Sequence, residues 1–249
     1  MSGSQPCEML PWDSKLFDCR IARVRGDLLT ADLCRTIDRW AGEHRVDLLY
    51  FLARPDDRQT TEMAEANGYQ LVDVRMTLER SLNAEFKPET NCTATIRPAA
   101  SADRDALIAL ARQSHQGTRF YFDSRIPREK ADELYAAWMA RDLGGDVVVA
   151  ERNGQIVGYV TFAYDPRSTV GNIGLTAVAA SQRGGGIGRA LMATALQAMR
   201  DRGAKRVTVV TQGRNLAAQR LYGRCGFIAC NLQLYYHRWF IADGASTSC

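Results

Sequence analysis

A glycine-rich stretch at residues 183–188, Arg-Gly-Gly-Gly-Ile-Gly, is the segment whose composition points most directly to ligand chemistry. It follows an apolar, strand-like run at 170–178 and precedes a segment in which Ile187, Leu191 and Ala195 recur at helical spacing. Glycines allow positive φ angles and let the backbone approach a ligand closely. The first N–H groups of a helix are unpaired and lie at the positive end of its dipole. The stretch therefore predicts a site for an anion such as a pyrophosphate.

Two common phosphate-binding patterns are excluded at this stretch. A dinucleotide fingerprint needs glycine at its sixth position, but that residue is Arg189 counted from Gly184 and Leu191 counted from Gly186. No lysine follows the glycines, as a P-loop would require. The stretch is then either an anion site of another type or a plain tight turn between a strand and a helix.

A second candidate element is the run 215–227, which begins with a residue that favours the start of a helix. Asn215 is a good helix N-cap whatever the function. Tyr222 shares an apolar stripe with Leu221 and Cys225, so it is either a core aromatic or a reactive phenol. A phenol, with a pKa of about 10, stays protonated beside a thiol with a pKa of about 8.5 and can donate a proton to a thiolate.

Together these elements resemble the GNAT acetyltransferase superfamily. Arg183, Gly186 and Gly188 match its Arg/Gln-x-x-Gly-x-Gly/Ala signature. The run 215–227 resembles its closing motif, Asn-x-x-Ala followed by a Tyr and then Gly-Phe, and the segment 175–178 resembles its splayed central strand. Found in this order along the chain, the motifs favour the family over a tight turn and a core aromatic.

The resemblance covers about residues 94–240 and implies an α/β (α+β) GNAT acyl-CoA N-acyltransferase fold. It implies direct transfer of an acetyl group from acetyl-CoA, as cosubstrate, to an amine, with no metal. Tyr222 would be the general acid, a role typically worth about 10²–10⁴-fold in rate. Amides around Ala177 and Val178 would hold the pantetheine and polarise the thioester, and amides 184–190 would hold the pyrophosphate. The expected cofactor-binding residues are Thr176, Ala177, Val178, Arg183, Gly184, Gly186, Gly188, Arg189, Ala190 and Asn215.

The general base is left open by the sequence. Glu151, Asp123 and His237 are candidates, but each is more often a surface or hydrogen-bonded residue. Deprotonation of the amine through water is the alternative.

The segment 116–128 joins two predicted helices and, in the resembled family, borders the acceptor. It contains three consecutive aromatic residues at 120–122 together with Arg119 and Arg125. Such residues can stack a base and bind a phosphate. Arg119 and Tyr121 are therefore the expected substrate-binding residues, and the alternative is a capping loop whose aromatics fill the core.

The whole chain is similar to the dTDP-fucosamine acetyltransferase group, which N-acetylates a dTDP-4-amino-4,6-dideoxy sugar. That group also has a small N-terminal α/β domain before its GNAT domain, and Tyr69 stands where it usually has phenylalanine. The matching residues are Trp12 with Phe17, Gly68-Tyr69-x-Leu71-Val72, Arg119-Phe120, Ile173-Gly174-Leu175 and Tyr222. The similarity implies a nucleotide-linked amino sugar as acceptor.

The elements that must position these residues fall into two blocks. We predict a small N-terminal α/β domain at 1–80, a polar linker at 81–94, the GNAT domain at 95–240 and a tail at 241–249. The first block has predicted strands at 21–24, 48–52 and 69–78 and predicted helices at 31–43 and 61–66. The second reads helix, helix, three antiparallel strands, helix, strand, helix and two closing strands at 227–230 and 232–240.

Composition places few limits on the partners but excludes some classes. The 249 residues are 46% hydrophobic and 24% charged, with a net charge of +4 and no basic run interleaved with aromatics, so nucleic acid is disfavoured. No apolar stretch approaches a membrane span and no secretory signal begins the chain. Seven scattered cysteines without Cys-x-x-Cys, and three distant histidines, predict reduced thiols, no metal site and a cytoplasmic location.

The predicted function is N-acetylation of a small-molecule primary amine on a nucleotide-linked sugar. The alternatives are a GNAT enzyme acting on a protein N-terminus, a lysine or an amino-acid-like metabolite, and a non-catalytic CoA-binding sensor. The intact glycines and Tyr222 argue against the sensor. The apolar C-terminal strand at 232–240 either pairs across a homodimer or packs internally.

Overall fold

The computed structural model of the chain describes residues 5–82 and 92–240, which form one ten-stranded sheet with helices on both faces. The strands lie in the order β1-β2-β3-β10-β4-β9-β8-β7-β6-β5. They are β1 (Cys7–Met9), β2 (Ile21–Val24), β3 (Leu48–Ala53), β4 (Gln70–Ser81), β5 (Thr95–Pro98), β6 (Asp146–Arg152), β7 (Gln155–Asp165), β8 (Val170–Val178), β9 (Arg206–Gln212) and β10 (Ile228–Trp239). The helices are α1 (Pro11–Phe17), α2 (Ala31–Glu43), α3 (Arg58–Ala66), α4 (Arg104–Ser114), α5 (Arg119–Phe122), α6 (Arg128–Asp142), α7 (Ile187–Asp201) and α8 (Leu216–Arg224). The predicted mixed α/β fold class is confirmed.

Local signals account for the ends of several elements. Helix α2 begins after Thr30, whose hydroxyl accepts a hydrogen bond from the Leu33 amide at 3.2 Å, as predicted. Helix α3 begins after Asp57, whose carboxylate accepts from the Thr60 amide at 2.7 Å, so this helix starts earlier than predicted. Strands β6 and β7 are joined by Asn153-Gly154 with φ angles of 52° and 73°, the positive values that a two-residue hairpin turn requires.

The helices divide between the two faces of the sheet. Helices α1, α4, α5 and α6 cover the front face, which carries Tyr50, Tyr159 and Tyr235. The back face carries Phe51 and Val209 and is covered by α2 and α3 on one half and by α7 and α8 on the other. Burial of each large apolar side chain in these layers is worth about 1.5–3 kcal/mol, so the helices are held where the candidate site needs them.

The last strand of the chain lies inside the sheet rather than at its edge. Strand β10 pairs antiparallel with β3, with His237 opposite Tyr50, and with β4, with Tyr235 opposite Asp73. Strand β4 in turn pairs with β9, so strands from both predicted domains alternate in one sheet. The division into domains at 1–80 and 95–240 stays a prediction. Residues 83–91 of the predicted linker and the tail 241–249 lie outside the described residues.

The structure corrects one expectation for the C-terminal strand and bears on an alternative that the sequence left open. The two closing strands predicted at 227–230 and 232–240 are a single strand, β10, with a register shift between Ala229 and Asn231. Residues 234–237 of β10 are paired on both edges, with β3 and with β4, so this part of the strand packs internally. The short elements β1, α1, β5 and α5 were not predicted, since three to seven residues carry little periodicity.

Three further facts bear on partners. None of the helices in the described ranges is long and apolar enough to cross a bilayer. Among the same residues, no three metal-binding side chains come together. The six cysteines in these ranges form no disulfide.

Candidate active site

A gap opens in the middle of the sheet, between the parallel strands β8 and β9. Their pairing runs from Val170 opposite Arg206 to Ile173 opposite Val209. Both strands continue, to residues 178 and 212, without further pairing to each other in the described chain. In a parallel pair, the N–H and C=O groups of every second residue hydrogen-bond to the neighbouring strand. Where β8 and β9 separate, these backbone groups are left unpaired and face the gap.

The amides of β8 that face this gap can be assigned from its other edge, which pairs with β7. The Ala179 amide donates to Val157 O at 2.8 Å, and Ala177 lies opposite Tyr159. Amides in an antiparallel ladder point alternately to one edge and the other, so that of Ala177 points to β7 and those of Thr176 and Val178 point into the gap. Of the two residues whose amides are predicted to hold the pantetheine, Val178 therefore turns its amide into the gap and Ala177 does not; Thr176, another predicted cofactor residue, also turns its amide into the gap.

The glycine-rich turn lies at the carboxyl end of β8 and leads into α7. Gly184 and Gly186 have φ angles of 90° and 79°, in the region that glycine occupies without strain. The five consecutive amides at 184–188 donate to no acceptor within the described ranges. The amides of Arg189 and Ala190 both donate to Gly186 O at 3.0 Å. The unpaired amides that could form an anion cradle are therefore those of residues 184–188, because the helix itself uses the amides of Arg189 and Ala190.

Three other predicted cofactor residues have structural roles in this arrangement. A Cβ atom on Gly188 would lie 3.3 Å from the Leu221 side chain, so a glycine here lets α7 pack closely against α8. Asn215 caps α8, its side-chain oxygen accepting from the Ala218 amide at 3.1 Å. Arg183 donates from Nε to Val178 O at 3.1 Å and so holds a positive charge between the strand end and the glycine turn.

Tyr222 lies on α8 at the back side of the gap. Its side chain is 4% exposed and packs against Phe227, with ring centres 5.9 Å apart. Burial raises the pKa of the phenol to about 12, and the nearby Thr176 hydroxyl on β8 partly offsets that rise. The sequence left a core aromatic and a proton donor as alternatives. The structure shows a buried phenol next to the strand that lines the gap, and its raised pKa favours the protonated form.

A buried carboxylate that the sequence analysis missed lies on the front face, beside the end of β9. Asp73 on β4 is 3% exposed and lies beside the end of β9, where the Gln212 amide nitrogen, oriented to satisfy its neighbours, is 3.1 Å from it. Arg214 approaches it at 3.4 Å. Burial raises the pKa of Asp73, and the Val74 amide and Arg214 oppose that shift. A buried carboxylate with a perturbed pKa is a candidate acid or base. The available signal in the sequence was an aspartate between two valines in a predicted strand.

The three bases considered from the sequence are engaged elsewhere. Glu151 forms an ion pair with Arg97 at 2.7 Å. The His237 Nδ1–H donates to Asp123 at 2.6 Å, and Trp239 donates to the same carboxylate at 2.9 Å. Burial lowers the pKa of His237 to about 4. Burial opposes ionisation of Asp123, but the hydrogen bonds from His237, Trp239 and the Arg125 amide, with the charge of His237, together outweigh it and lower the pKa of that carboxyl.

The predicted acceptor segment lies against the front face as expected. Arg119 is half-buried, and its guanidinium carbon is 4.2 Å from the ring centre of Tyr235. The Tyr121 hydroxyl donates to Asp132 at 2.6 Å, so only its partly exposed ring is available to a ligand. That ring stacks on Tyr135 with centres 6.4 Å apart. The guanidinium of Arg119 thus has donors available to a ligand, whereas the hydroxyl of Tyr121 is already bonded within the protein.

Comparison with known proteins agrees with this geometry. Residues 106–227 match the family model described as Acetyltransferase (GNAT) family. The chain is 29% identical over 165 residues to the spore coat polysaccharide biosynthesis protein SpsD of Bacillus subtilis (strain 168), covering 65% of this chain and 56% of that one. It is 29% identical over 199 residues to the mycothiol acetyltransferase of Salinispora arenicola (strain CNS-205), covering 75% and 62%. It therefore spans less than two thirds of either relative.

A solved structure shares the fold. The GCN5-related N-acetyltransferase from Sphaerobacter thermophilus superposes with a TM-score of 0.68 and 18% identity, covering 94% of this chain and 76% of that one. At this identity the likeness shows the fold alone. Residues 106–227 of the chain are therefore similar to the Acetyltransferase (GNAT) family, and the fold that the chain shares with a GCN5-related N-acetyltransferase agrees with that match.

Proposed function

We propose that the chain is an acetyl-CoA-dependent N-acetyltransferase in which a primary amine attacks the thioester directly, and that the amine belongs to a nucleotide-linked 4-amino-4,6-dideoxy sugar. The observation that carries the proposal is the gap between β8 and β9. It combines unpaired strand amides with a buried phenol on the back side and a buried carboxylate on the front side.

Acetyl-CoA fits the donors at the back of the gap and supplies the acetyl group and the leaving thiolate. The unpaired amides at 184–188 suit its pyrophosphate, with the charge of Arg183 alongside. The amides of Thr176 and Val178 suit the pantetheine and the thioester carbonyl, whose oxygen becomes negative as the amine adds. Donors that are already oriented stabilise this oxyanion without reorganisation.

Two side chains handle the protons. As the C–N bond forms, Asp73 accepts the proton of the attacking amine, and its raised pKa makes it a stronger base than an exposed carboxylate. As the C–S bond breaks, Tyr222 donates to the departing sulfur. The two groups lie on opposite faces of the sheet, which matches an amine arriving from the front and CoA leaving from the back.

The sugar acceptor is supported by two observations. The front side presents Arg119 beside several aromatic rings, a combination suited to a phosphate and a base. One relative is named for polysaccharide biosynthesis.

The test is loss of the thioester absorbance of acetyl-CoA with a panel of amines. The panel holds a dTDP-4-amino-4,6-dideoxyhexose, its free amino sugar, lysine, and a peptide with an open N-terminus. We expect turnover with the nucleotide sugar. Turnover only with the peptide or lysine would keep the chemistry and reject the sugar, and CoA binding without any turnover would favour the sensor.

The role of Asp73 has its own variant. Asp73→Asn should lower kcat/KM for the amine by about 10²-fold or more and remove the acid limb of its pH profile. Asp103→Asn is the matched control, because Asp103 is also buried and arginine-paired, at 2.6 Å from Arg97, but lies away from the gap. An unchanged pH profile in Asp73→Asn would eliminate Asp73 as the base.

A further inference from the structure

Arg119 occupies a recess walled by aromatic rings on the front face. Its guanidinium carbon is 3.8 Å from the ring centre of Phe120, 4.2 Å from that of Tyr235 and 5.2 Å from that of Tyr50. Its Nε is fully enclosed, and no nitrogen of this side chain has a hydrogen bond or ion pair to any described residue. Cation–π contacts hold the group in place but leave its N–H donors unused.

A second unused donor lies in the same recess. The Tyr50 side chain, supplied by β3, is 1% exposed, and its hydroxyl has no partner within the described ranges. Most buried polar groups in proteins are hydrogen-bonded, and leaving one unpaired costs about 1–3 kcal/mol. Two unpaired donors side by side therefore point to an acceptor that is bound during function.

The charges around the recess are out of balance. The Tyr235 hydroxyl feels the positive charge of three guanidinium groups and the negative charge of one carboxylate. The guanidinium groups are those of Arg119, Arg23 and Arg75, and the carboxylate is that of Asp13. Arg75 hydrogen-bonds only to neutral side chains in the described chain, with Gln233 at 2.8 Å. Arg23 is paired with Glu8. Burial favours the neutral form of Asp13 by raising its pKa.

The recess adjoins the candidate base. Tyr235 on β10 lies directly opposite Asp73 on β4, and the charge of Arg119 acts on Asp73. Residues opposite each other on one face of an antiparallel pair have Cβ atoms about 4.5–5.5 Å apart. A ligand that fills the recess therefore reaches the place where the amine must be deprotonated.

We propose that this recess binds a phosphate group of the acceptor, with Arg119 and Tyr50 as donors and Tyr235 as the wall. The acceptor class that follows is an amine linked to a nucleoside diphosphate, which rests on the proposed function and deepens it. Tyr50 and Tyr235 lie on β3 and β10, so the N-terminal strands help to build the acceptor site. This gives the N-terminal region a part in substrate recognition.

The test is calorimetric binding of thymidine diphosphate to the full chain with CoA present at saturation, so that the glycine turn is occupied. Arg119→Gln should weaken binding by about 10–150-fold, the loss of a hydrogen bond to a charged group. Arg119→Lys should recover part of it, and Tyr50→Phe should weaken it by about 3–10-fold. Unchanged CoA affinity and melting temperature show that the variants are folded.

Two control variants change the same residue types at positions outside the recess. Arg58→Gln removes a positive charge from a 91% exposed side chain on α3, and Tyr69→Phe removes a buried hydroxyl on the back face. Both should bind thymidine diphosphate within about two-fold of the native protein. The proposal is overturned if the native protein does not bind thymidine diphosphate, or if Arg119→Gln binds it equally well.

Further experiments distinguish a phosphate ligand from a carboxylate ligand, and the recess proposal from the proposed function. Competition by inorganic pyrophosphate supports a phosphate site, whereas competition by a uronic acid but not by pyrophosphate overturns it in favour of a carboxylate. If binding depends on Arg119 but no amine is acetylated, the recess stands and the proposed function fails. If unphosphorylated amines are acetylated as efficiently as nucleotide-linked ones, acetyl transfer to an amine stands, but the nucleotide-linked acceptor and the recess proposal both fail.

Discussion

Replacing Tyr222 by phenylalanine removes one oxygen atom and tests how the leaving thiolate is stabilised. Burial raises the pKa of this phenol to about 12, against about 8.5 for a thiol. Complete proton transfer from phenol to thiolate would then be uphill by about 3.5 in pKa, or about 5 kcal/mol. The magnitude favours a hydrogen bond to the developing thiolate over a finished transfer. Such a bond to a charged group is worth about 1.5–3 kcal/mol.

We therefore expect Tyr222→Phe to lower kcat by about 10–150-fold, towards the lower part of the range for general acids. The KM for acetyl-CoA should stay within about two-fold, because charge on the sulfur develops only in the transition state. The assay is steady-state acetyl transfer from pH 6 to 10. Tyr164→Phe, a half-buried tyrosine on the same face, is the control and should be silent.

The outcomes separate three explanations. A kcat within two-fold of the native value would refute the role of the phenol. A rise in KM at constant kcat would make Tyr222 a ground-state contact, since uniform binding alters KM without altering kcat. A lowered melting temperature together with lost CoA binding would make it a core residue only.

Other changes test the turn, the helix cap and the buried histidine. Gly186→Ala should raise the KM for acetyl-CoA about 10-fold, because the cradle is lost. The control is Gly26→Ala, since Gly26 has a similar φ of 86° and no described atom lies within 4 Å of an added Cβ. This variant should lose only about 1–2 kcal/mol of stability, from backbone strain. Asn215→Ala should lower the free energy of unfolding by about 1 kcal/mol without changing the KM for acetyl-CoA. Asn215→Asp should keep the native stability and the native KM. A changed KM in Asn215→Asp would restore a cofactor role for Asn215. Because the pKa of His237 is lowered to about 4, the unfolded state takes up its proton first, and stability should fall by up to about 3 kcal/mol as pH drops from about 6.5 to 4. The measurement is urea unfolding between pH 4 and 6.5. In His237→Asn, which keeps a hydrogen-bond donor in place, stability should no longer fall with pH in this way. In the control His44→Gln, at a half-buried position, the fall should remain.

Sequence patterns were sufficient where the cause of the structure is local. Thr30 caps α2 at the predicted residue, and Asn153-Gly154 turns the chain between β6 and β7. The glycine-rich turn lies between a strand and a helix as predicted, because positive φ angles and unpaired first-turn amides depend on neighbours within a few residues. The fold class followed from the order of such elements.

Some site details were only partly accessible from the sequence. The motif located Tyr222 and the turn, but not which amides are used by the protein itself. Ala177 pairs with β7, and the amides of Arg189 and Ala190 are taken by Gly186 O, so the ligand-facing set is smaller than the motif suggests. These outcomes depend on strand register and helix start, which a one-residue shift would reverse.

The tertiary structure alone decided which distant residues meet at the gap. Arg214 lies beside Asp73 although 141 positions separate them in the chain, and Tyr235 comes to Asp73 only because β10 inserts between β3 and β4. Composition and periodicity report the face of an element, not the strand it pairs with, and many pairings bury the same apolar surface. The sequence by itself therefore determined the cofactor-binding half of the candidate site, while the long-range strand order, and the burial that it imposes on Asp73, Tyr50 and Arg119, determined the acceptor half.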